Sequence, residues 1–503
     1  MPHLHSRQTG RAAKRARTLA VVLASALLTG GGLTMDAAAT QPGQPAQPTK
    51  TTAQQDAATP DFNQDGYPDL AVGVPRGTVA GKAKAGFVAV QWGSRDGLNS
   101  GHRTLISQHT AGVPGTAEAG DGFGTAVDTA DVNRDGYTDL LAGAPKEASG
   151  LTGRGAVSVV WGSRSGFSGG LTVANRPHSY GALGASVVAG DFTRDGRVDV
   201  VFNSTTEETG GLSMVRGPIS RNGTPKPMER VDRFGMGSGT AHLVSADVDG
   251  DGRTELATTV SAWDDSSTRL YRWHNGGLER FWSLGGYGTS LAAGDFDGDG
   301  HDDVAIGHCR DGEQQEACGP LQLRKGGAVH VVYGEASASD FGTRNQTLHQ
   351  GTVGVPGTAE TADSFGATLS ALDANNDGRD DLAIGNPAEA VGHTTGAGMA
   401  TLLFGELHGV LDEYGDARGT GWNQGTAHVP GTVEKGDRFA AAVRLLDTDG
   451  DTAPELLLGS PGENSGTGGL WALPGRGNGP TAPASYTLTP PAHAPAFGGV
   501  LSH

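Results

Sequence analysis

Short stretches of alternating apolar and polar residues, each bounded by glycine, recur along the chain. They are "GFVAVQWG" from Gly86, "GAVSVVWG" from Gly155, "GAVHVVYG" from Gly327 and "GMATLLFG" from Gly398. A period of two between glycines is typical of half-buried β-strands. Other strands are apolar throughout and often end in a Gly-x-Pro turn, as at 73–75. The pattern therefore predicts an all-β chain of many short strands.

An acidic segment precedes the apolar strands, and it occurs seven times. The first copy is "DFNQDGYPDLAVG" from Asp61, and the others begin at Asp131, Asp191, Asp247, Asp295, Asp373 and Asp447. Unequal spacing argues against a solenoid of rigid period and suits a four-stranded unit with variable loops. An aromatic-Gly pair, such as Phe123-Gly124, usually stands eight positions before the first Asp.

With these marks, the unit resembles the FG-GAP repeat of integrin alpha-chain N-terminal domains and their bacterial relatives. The resemblance covers about residues 61–503 and implies a seven-bladed β-propeller. The third and fourth units depart from the pattern, because Leu183 and Gly239 stand where the aromatic residue is expected. In integrins the metal loops stabilise one face and ligand engages the other, so the resemblance implies a binding module.

The two ends of the repeat region predict how the ring closes. The first unit has no aromatic-Gly strand before Asp61, whereas the chain ends with "AFGGVLSH". Phe497 therefore stands where the aromatic residue of an unfinished unit is expected. We expect the C-terminal strand to complete the first blade, which removes an exposed sheet edge.

The acidic segment places oxygen-bearing side chains at loop positions 1, 3, 5 and 9, with a backbone carbonyl available at position 7. Ca²⁺ takes about six to eight oxygen ligands, and glycine at position 6 permits a sharp turn. We therefore predict up to seven structural Ca²⁺ sites. The predicted ligands, loop by loop, are Asp61, Asn63, Asp65, Tyr67 and Asp69; Asp131, Asn133, Asp135, Tyr137 and Asp139; Asp191, Thr193, Asp195, Arg197 and Asp199; Asp247, Asp249, Asp251, Arg253 and Glu255; Asp295, Asp297, Asp299, His301 and Asp303; Asp373, Asn375, Asp377, Arg379 and Asp381; and Asp447, Asp449, Asp451, Ala453 and Glu455.

Two alternatives compete with this kind of calcium loop. An EF-hand needs a glutamate at position 12 and flanking helices, but position 12 carries no carboxylate in any copy. Metal-free acidic turns are the other alternative. The loops hold 24 of the 55 acidic residues of a chain whose net charge is −18. Because such clustered carboxylates repel one another, a bound cation is favoured.

The seven loops are not expected to bind equally. The fourth and fifth loops have four carboxylates each and should bind most tightly. The third loop, with Thr193 at position 3, should be the weakest of the regular loops. The seventh loop is irregular, because Thr452 replaces the glycine and Pro454 constrains the turn.

Residues 1–39 predict a secretory signal, with basic residues, a short apolar run at 19–28 and small residues before an expected cleavage near Ala39. Residues 40–60, rich in Pro, Gln and Thr, predict a flexible leader. No later apolar stretch is long enough to span a membrane, so we expect a secreted protein. In that oxidising environment Cys309 and Cys318 favour a local disulfide over a metal site or a nucleophile.

No catalytic motif occurs beyond "GFSGG" at 166–170, which lies in a predicted loop rather than at a strand-to-helix turn. The acidic charge argues against nucleic acid. The expected function is that of a monomeric, secreted, calcium-binding module for an extracellular protein or polysaccharide. The alternatives are an enzyme that degrades extracellular polysaccharide or ester, and a lectin.

Three near-copies, "GVPGTAEAGDGFG" at 112, "GVPGTAETADSFG" at 354 and "HVPGTVEKGDRFA" at 428, precede the aromatic-Gly strand in three units. In a propeller such connections lie on one face, where loops carry binding. Their similarity indicates either a shared structural turn or a shared binding role.

Overall fold

The computed structural model describes residues 59–148, 155–175, 182–205, 209–236, 242–260, 267–286, 288–308, 325–361 and 363–502. The predicted signal segment, nearly all of the predicted leader, and both cysteines, Cys309 and Cys318, lie outside the described residues. The disulfide, the cleavage and the leader therefore stay predictions.

The described residues form seven antiparallel sheets, arranged as the blades of a β-propeller, and each sheet consists of strands that are consecutive in the chain. This confirms the predicted all-β, seven-bladed fold. The strands are β1 (Leu70–Val74), β2 (Phe87–Gln91) and β3 (Arg103–Ile106) in blade one; β4 (Ala126–Ala130), β5 (Asp139–Ala144), β6 (Ala156–Val160) and β7 (Gly170–Asn175) in blade two; β8 (Val187–Gly190), β9 (Asp199–Thr205), β10 (Thr209–Val215) and β11 (Glu229–Met236) in blade three; and β12 (Leu243–Ala246), β13 (Glu255–Val260), β14 (Ser267–His274) and β15 (Gly277–Gly285) in blade four.

The remaining strands are β16 (Gly288–Gly294), β17 (Asp303–His308), β18 (Ala328–Val332) and β19 (Asn345–Leu348) in blade five; β20 (Thr368–Leu372), β21 (Asp381–Asn386), β22 (Met399–Leu403) and β23 (Gly419–Trp422) in blade six; and β24 (Ala442–Leu446), β25 (Glu455–Ser460), β26 (Gly469–Leu473) and β27 (Tyr486–Leu488) in blade seven. One helical turn, α1 (Glu463–Gly466), joins β25 to β26. Within the described part of the chain no helix has the length and apolarity needed to cross a bilayer.

The alternating strands are buried on both faces. Every residue of β2, β6, β18 and β22 is buried. The expectation that these strands are half-buried is therefore wrong, because each blade is covered on both faces by its neighbours. Their polar positions, such as Gln91 and His330, are buried as well.

The C-terminal segment completes the first blade, as predicted. The Gly73 N–H donates to the Val500 carbonyl at 3.0 Å, and the Ser502 N–H donates to the Ala71 carbonyl at 2.9 Å. Residues 500–502 thus lie beside β1 in the innermost position that β4 and its equivalents occupy in the other blades. Without this segment the first blade would be the three-stranded sheet β1-β2-β3 with an open edge.

Close glycine contacts join neighbouring blades. A Cβ at Gly143 would lie 1.9 Å from the Gly184 carbonyl oxygen, and one at Gly459 would lie 1.7 Å from the Gly498 carbonyl oxygen. Gly143 and Gly459 begin Gly-x-Pro or equivalent turns, whereas Gly184 and Gly498 occupy the glycine of the aromatic-Gly pair. The two sequence marks of the repeat therefore meet at the junction between blades, where no side chain fits.

Apolar clusters fill the spaces between adjacent blades. The cluster between blades one and seven combines Leu70 of β1, Leu457 of β25 and Phe497 near the C-terminus. The residue at loop position 2, such as Phe62 or Phe296, is fully buried in clusters of the same kind. In six of the seven loops this residue is apolar and anchors the loop to the core, as expected from the hydrophobic effect; in the seventh it is the buried Thr448.

Candidate metal centre

The seven acidic loops lie on one face of the propeller, here called the loop face. Six of them join the innermost strand of a blade to its second strand, as residues 131–138 join β4 to β5. The first loop precedes β1, and residues 500–502 take the place of its innermost strand. Each predicted ligand set is therefore brought together within its own loop, and the seven sets share one face.

The loop backbone turns sharply at two positions. At position 6, φ is positive in all seven loops, from 71° at Thr452 to 90° at Gly136. Position 4 is also left-handed in all seven, from 56° at Gln64 to 76° at Gly298. The sequence pattern indicated the first turn by its glycine. It missed the second, because position 4 has no common residue type.

The carboxylate at position 1 of each loop accepts hydrogen bonds from backbone N–H groups of the same loop. Asp61 Oδ2 accepts a hydrogen bond from the Gly66 N–H at 2.8 Å, and Oδ1 accepts one from the Asp65 N–H at 3.2 Å. The position-6 N–H donates to the first carboxylate in the other six loops as well. Backbone hydrogen bonds within each loop therefore fix the orientation of the position-1 carboxylate.

The carboxylate at position 9 is buried in every loop. In the first loop the Phe62 N–H donates to Asp69 Oδ2 and the Gly93 N–H donates to Asp69 Oδ1, both at 2.9 Å. The equivalent glycine donation comes from Gly162, Gly217, Gly334 and Gly405 in four other blades. In the sequence this glycine marks only a strand boundary, although its recurrence after the third strand of most blades was the available signal for its role.

Burial raises the pKa of all seven position-9 carboxyl groups, and neighbouring carboxylates of the same loop add to the rise. The pKa rises to about 8 for Asp69, Glu255 and Asp381, to about 7 for Asp139 and Glu455, to about 6 for Asp199, and well above the usual value for Asp303. The loops therefore concentrate negative charge where water cannot screen it. A cation in the loop would relieve that cost.

Three loops each bring three carboxylates together, with ligand atoms all within 4.8 Å of one another. They are Asp247, Asp249 and Asp251; Asp295, Asp297 and Asp299; and Asp447, Asp449 and Glu455. Oδ1 of Asp247 and Oδ1 of Asp249 are buried and accept no hydrogen bond from the described residues. A set of oxygen ligands with unpaired buried atoms is compatible with a hard cation such as Ca²⁺.

Arginine side chains from outside the loop also reach some of these carboxylates. Arg221 pairs with Asp135 of the second loop at 2.8 Å, and Arg344 pairs with Asp297 of the fifth. These contacts were not evident from the sequence, because each arginine is distant in the chain from its partner.

On the opposite face, three clusters of the same composition tie the long connections together, and we call them clasps. Each has a glutamine, an aspartate and a glutamate: Gln108, Asp121 and Glu147; Gln350, Asp363 and Glu389; Gln424, Asp437 and Glu463. In all three the glutamine Nε2 donates to the glutamate Oε2, at 2.6 to 2.7 Å. The aspartate accepts a backbone N–H from within the near-copy segment. The three near-copies therefore share a structural turn.

A central channel runs between the innermost strands, with two cavities of about 260 and 240 Å³. The cavity next to the loops is lined mainly by small and aliphatic residues, together with the charged residues Asp128, Asp302, Asp373, Asp380 and Arg444. Asp128 and Arg444 occupy equivalent positions in the innermost strands of blades two and seven, where Val188 or Ser370 stands in other blades. Burial raises the pKa of Asp128 to about 7, and the charge of Arg444 opposes that rise.

The loop pattern and the blades have counterparts in known proteins. Models of the FG-GAP repeat match residues 53–90, 123–160 and 365–403, and a model of an FG-GAP-like repeat matches residues 247–306. Phosphatidylinositol-glycan-specific phospholipase D of Rattus norvegicus is 36% identical over 138 residues, which are 27% of this chain and 16% of that protein. Integrin alpha-8 of Homo sapiens is 42% identical over 85 residues, which are 17% of this chain and 7% of that protein.

The chain thus spans only a small part of the curated relatives that it matches. Among solved structures, a Lactobacillus plantarum protein superimposes with a TM-score of 0.44 and 10% identity, over 86% of this chain and 98% of that one.

Proposed function

Because this chain is an FG-GAP repeat protein whose blades form an integrin-alpha-like propeller, we propose that it is a secreted, calcium-stabilised binding module for an extracellular polymer. The main support for calcium binding is the set of buried position-9 carboxylates, each surrounded by further acidic residues of its own loop. Binding of the polymer is assigned to the face opposite the loop face, which carries none of the seven acidic loops.

In each loop the side chains at positions 1, 3, 5 and 9 and the carbonyl at position 7 would hold one Ca²⁺. The ion would supply positive charge to carboxylates that burial otherwise penalises. Its role would be structural, because position 2 of six of the seven loops belongs to an apolar cluster between blades. Titration of the purified, metal-stripped protein with calcium in a calorimeter tests this part, and the absence of any binding heat would overturn it.

The face opposite the loops presents a group of exposed basic side chains on an acidic protein. Arg76, Lys82 and Lys84 lie in the connection between β1 and β2, and Lys146 lies in the connection between β5 and β6. Both connections contact the connection between β3 and β4, because the Gly122 N–H donates to the Lys84 carbonyl and the Lys146 N–H donates to the Asp121 carbonyl. Positive charge concentrated there favours an acidic polysaccharide over a neutral one as the ligand.

A binding panel of acidic and neutral cell-wall and matrix polymers tests this assignment. Lys84→Gln together with Lys146→Gln should weaken binding to the acidic polymers, whereas Arg95→Gln on the loop face should leave it unchanged. Arg95 is a suitable control because it carries the same charge and is well exposed. Equal binding by all variants, or preference for neutral polymers, would contradict the assignment.

A second candidate is an enzyme that acts in the central channel on a polysaccharide or ester. It is favoured by Asp128 and Arg444, which break the sevenfold pattern of the innermost strands. Asp128→Asn should then abolish hydrolysis of a polysaccharide or ester panel while the propeller stays folded. A wild-type protein that hydrolyses nothing in the panel would remove this candidate.

A further inference from the structure

The fourth loop, residues 247–255, already receives a positive charge from its neighbour. Arg194 belongs to the third loop, and its Nη2 lies 2.7 Å from Glu255 Oε1 while its Nη1 lies 3.4 Å from Asp251 Oδ2. The Glu255 side chain is fully buried and the Arg194 side chain is only 18% exposed. Because the pair is shielded from water, removal of either partner would leave the other charge poorly compensated, which is more costly than at an exposed surface pair.

The fold explains why this arginine points into the next loop. Arg194 stands at position 4, where the left-handed backbone directs the residue toward the following blade. At the same position Asn376 Nδ2 donates to the Thr452 carbonyl of the seventh loop at 2.8 Å, and Gln64 bonds to the Gly136 carbonyl of the second loop. In the third loop this position carries a side chain long enough to reach the neighbour's carboxylates.

The Arg194 guanidinium pairs with only two of the four carboxylates of the fourth loop. Asp247 is fully buried, and its Oδ1 accepts no hydrogen bond from the described residues; the same holds for Oδ1 of Asp249. The loop therefore offers unpaired oxygens to a cation, while Arg194 occupies Glu255 Oε1 and shares Asp251 Oδ2 with Arg253 of the loop itself, which lies 3.0 Å from that oxygen. A cation that takes these two oxygens must displace Arg194, and one that takes the second oxygen of Asp251 or Glu255 must still share the charge of that carboxylate with the guanidinium.

We propose that Arg194 is a tethered competitor of calcium at the fourth loop, so that this loop binds calcium more weakly than the seventh despite an equal number of carboxylates. The inference rests on the calcium sites proposed above. In the described part of the chain no arginine pairs with a carboxylate of the seventh loop. The fourth loop, which the sequence predicts to be among the tightest, is therefore placed below the seventh.

Arg194→Gln tests the inference, with Arg272→Gln as its matched control. Arg272 carries the same charge and acts on Asp249 through space, but its guanidinium lies over the Phe281 ring at 5.4 Å. In calorimetric calcium titrations, Arg194→Gln should raise the affinity of one site by about tenfold, the change that about 1.4 kcal/mol produces, whereas Arg272→Gln should change it little.

Melting temperatures with and without calcium give a second readout. In EDTA, Arg194→Gln should melt at a lower temperature than wild type, because Glu255 loses its partner. Saturating calcium should then stabilise the variant more than it stabilises wild type. If the variant is recovered only in calcium-containing buffer, that result supports the inference, and Arg194→Lys, which keeps a charge with fewer donors, should show an intermediate affinity.

Two results would overturn the inference. In the first, Arg194→Gln has the wild-type calcium titration. In the second, its melting temperature falls by the same amount with and without calcium, which would make Arg194 a purely structural residue. If neither wild type nor variant binds calcium at any loop, the calcium function itself fails, and the inference fails with it. The wild-type titration separates this case from the first two.

Discussion

The fourth and seventh loops carry four carboxylates each, yet these carboxylates have different partners in the folded protein. In the fourth loop Arg194 of the neighbouring loop pairs with Glu255. In the seventh loop the equivalent Glu455 accepts hydrogen bonds from the N–H and the hydroxyl of Thr448, at 2.7 and 2.5 Å, and forms no ion pair with any residue that the structure describes. The comparison teaches that carboxylate count does not measure the need for metal. The need depends on what else the fold brings to the carboxylates.

Removal of calcium should have the largest effect on the whole molecule. Stripping the protein with EDTA should lower its melting temperature by roughly 10 °C, because ions that bind only the folded state contribute several kcal/mol. Differential scanning calorimetry measures the shift, and added calcium should restore it. A melting temperature that does not respond to EDTA would remove the structural role of calcium.

Replacing the position-9 glutamate by glutamine should change stability differently in the fourth and seventh loops. Glu255→Gln leaves Arg194 with only the more distant Asp251 carboxylate at 3.4 Å, so it should cost about 2 kcal/mol of unfolding free energy both with and without calcium. Glu455→Gln should cost about as much in calcium but little or nothing in EDTA, because it removes a buried, repelled charge. Denaturant titrations of both variants in both buffers measure this. Parallel behaviour of the two variants would contradict the comparison.

The pH dependence of the stability of the metal-free protein should sharpen the comparison between the fourth and seventh loops. Burial raises the pKa of Glu455 to about 7 from a usual value of 4.5. A raised pKa in the folded state means that the folded protein binds this proton more tightly, so the stabilisation is complete below about pH 4.5 and is lost as the pH rises through 7. In EDTA, Glu455→Gln should therefore remove about 2 kcal/mol of the loss in stability between pH 5 and 8. An unchanged pH profile would contradict this assignment.

The smallest effect concerns the turn at position 6. Thr452 has a φ of 71°, a conformation that costs little for the glycine of the fourth loop, Gly252, and more for a residue with a branched side chain. Thr452→Gly should relieve strain and stabilise the protein by about 1 kcal/mol, offset in part by the greater freedom of the unfolded chain. Gly252→Thr should destabilise it by a similar amount. Chemical denaturation in calcium checks both signs.

Much of the fold followed from the sequence, because the repeat is marked by residues close together in the chain. The seven acidic segments predicted seven blades, and Phe497 predicted that the C-terminal segment completes blade one. The half-burial expected of the alternating strands was wrong. An isolated alternating strand does not reveal that a propeller covers both of its faces, which is why Gln91 and His330 are buried.

The candidate loops were predicted in position but only partly in surroundings. The Gly93 N–H that holds Asp69 comes from the end of the third strand of the blade, 24 residues later. The contact of Gly143 with Gly184 joins two blades and explains both glycines at once. Such pairs carry no local pattern, because neither residue needs its partner until the blades pack together.

The sequence by itself determined the number of blades, the face-forming acidic loops and the way the ring closes. These depend on strand periodicity, turn residues and repeat order, all of which are local properties of the chain. Only the tertiary structure decided which charges meet, as Arg194 and Glu255 do. Residues 61 positions apart are brought together when two blades pack at the distance that their glycines allow, and the balance of charge in each loop follows from that packing.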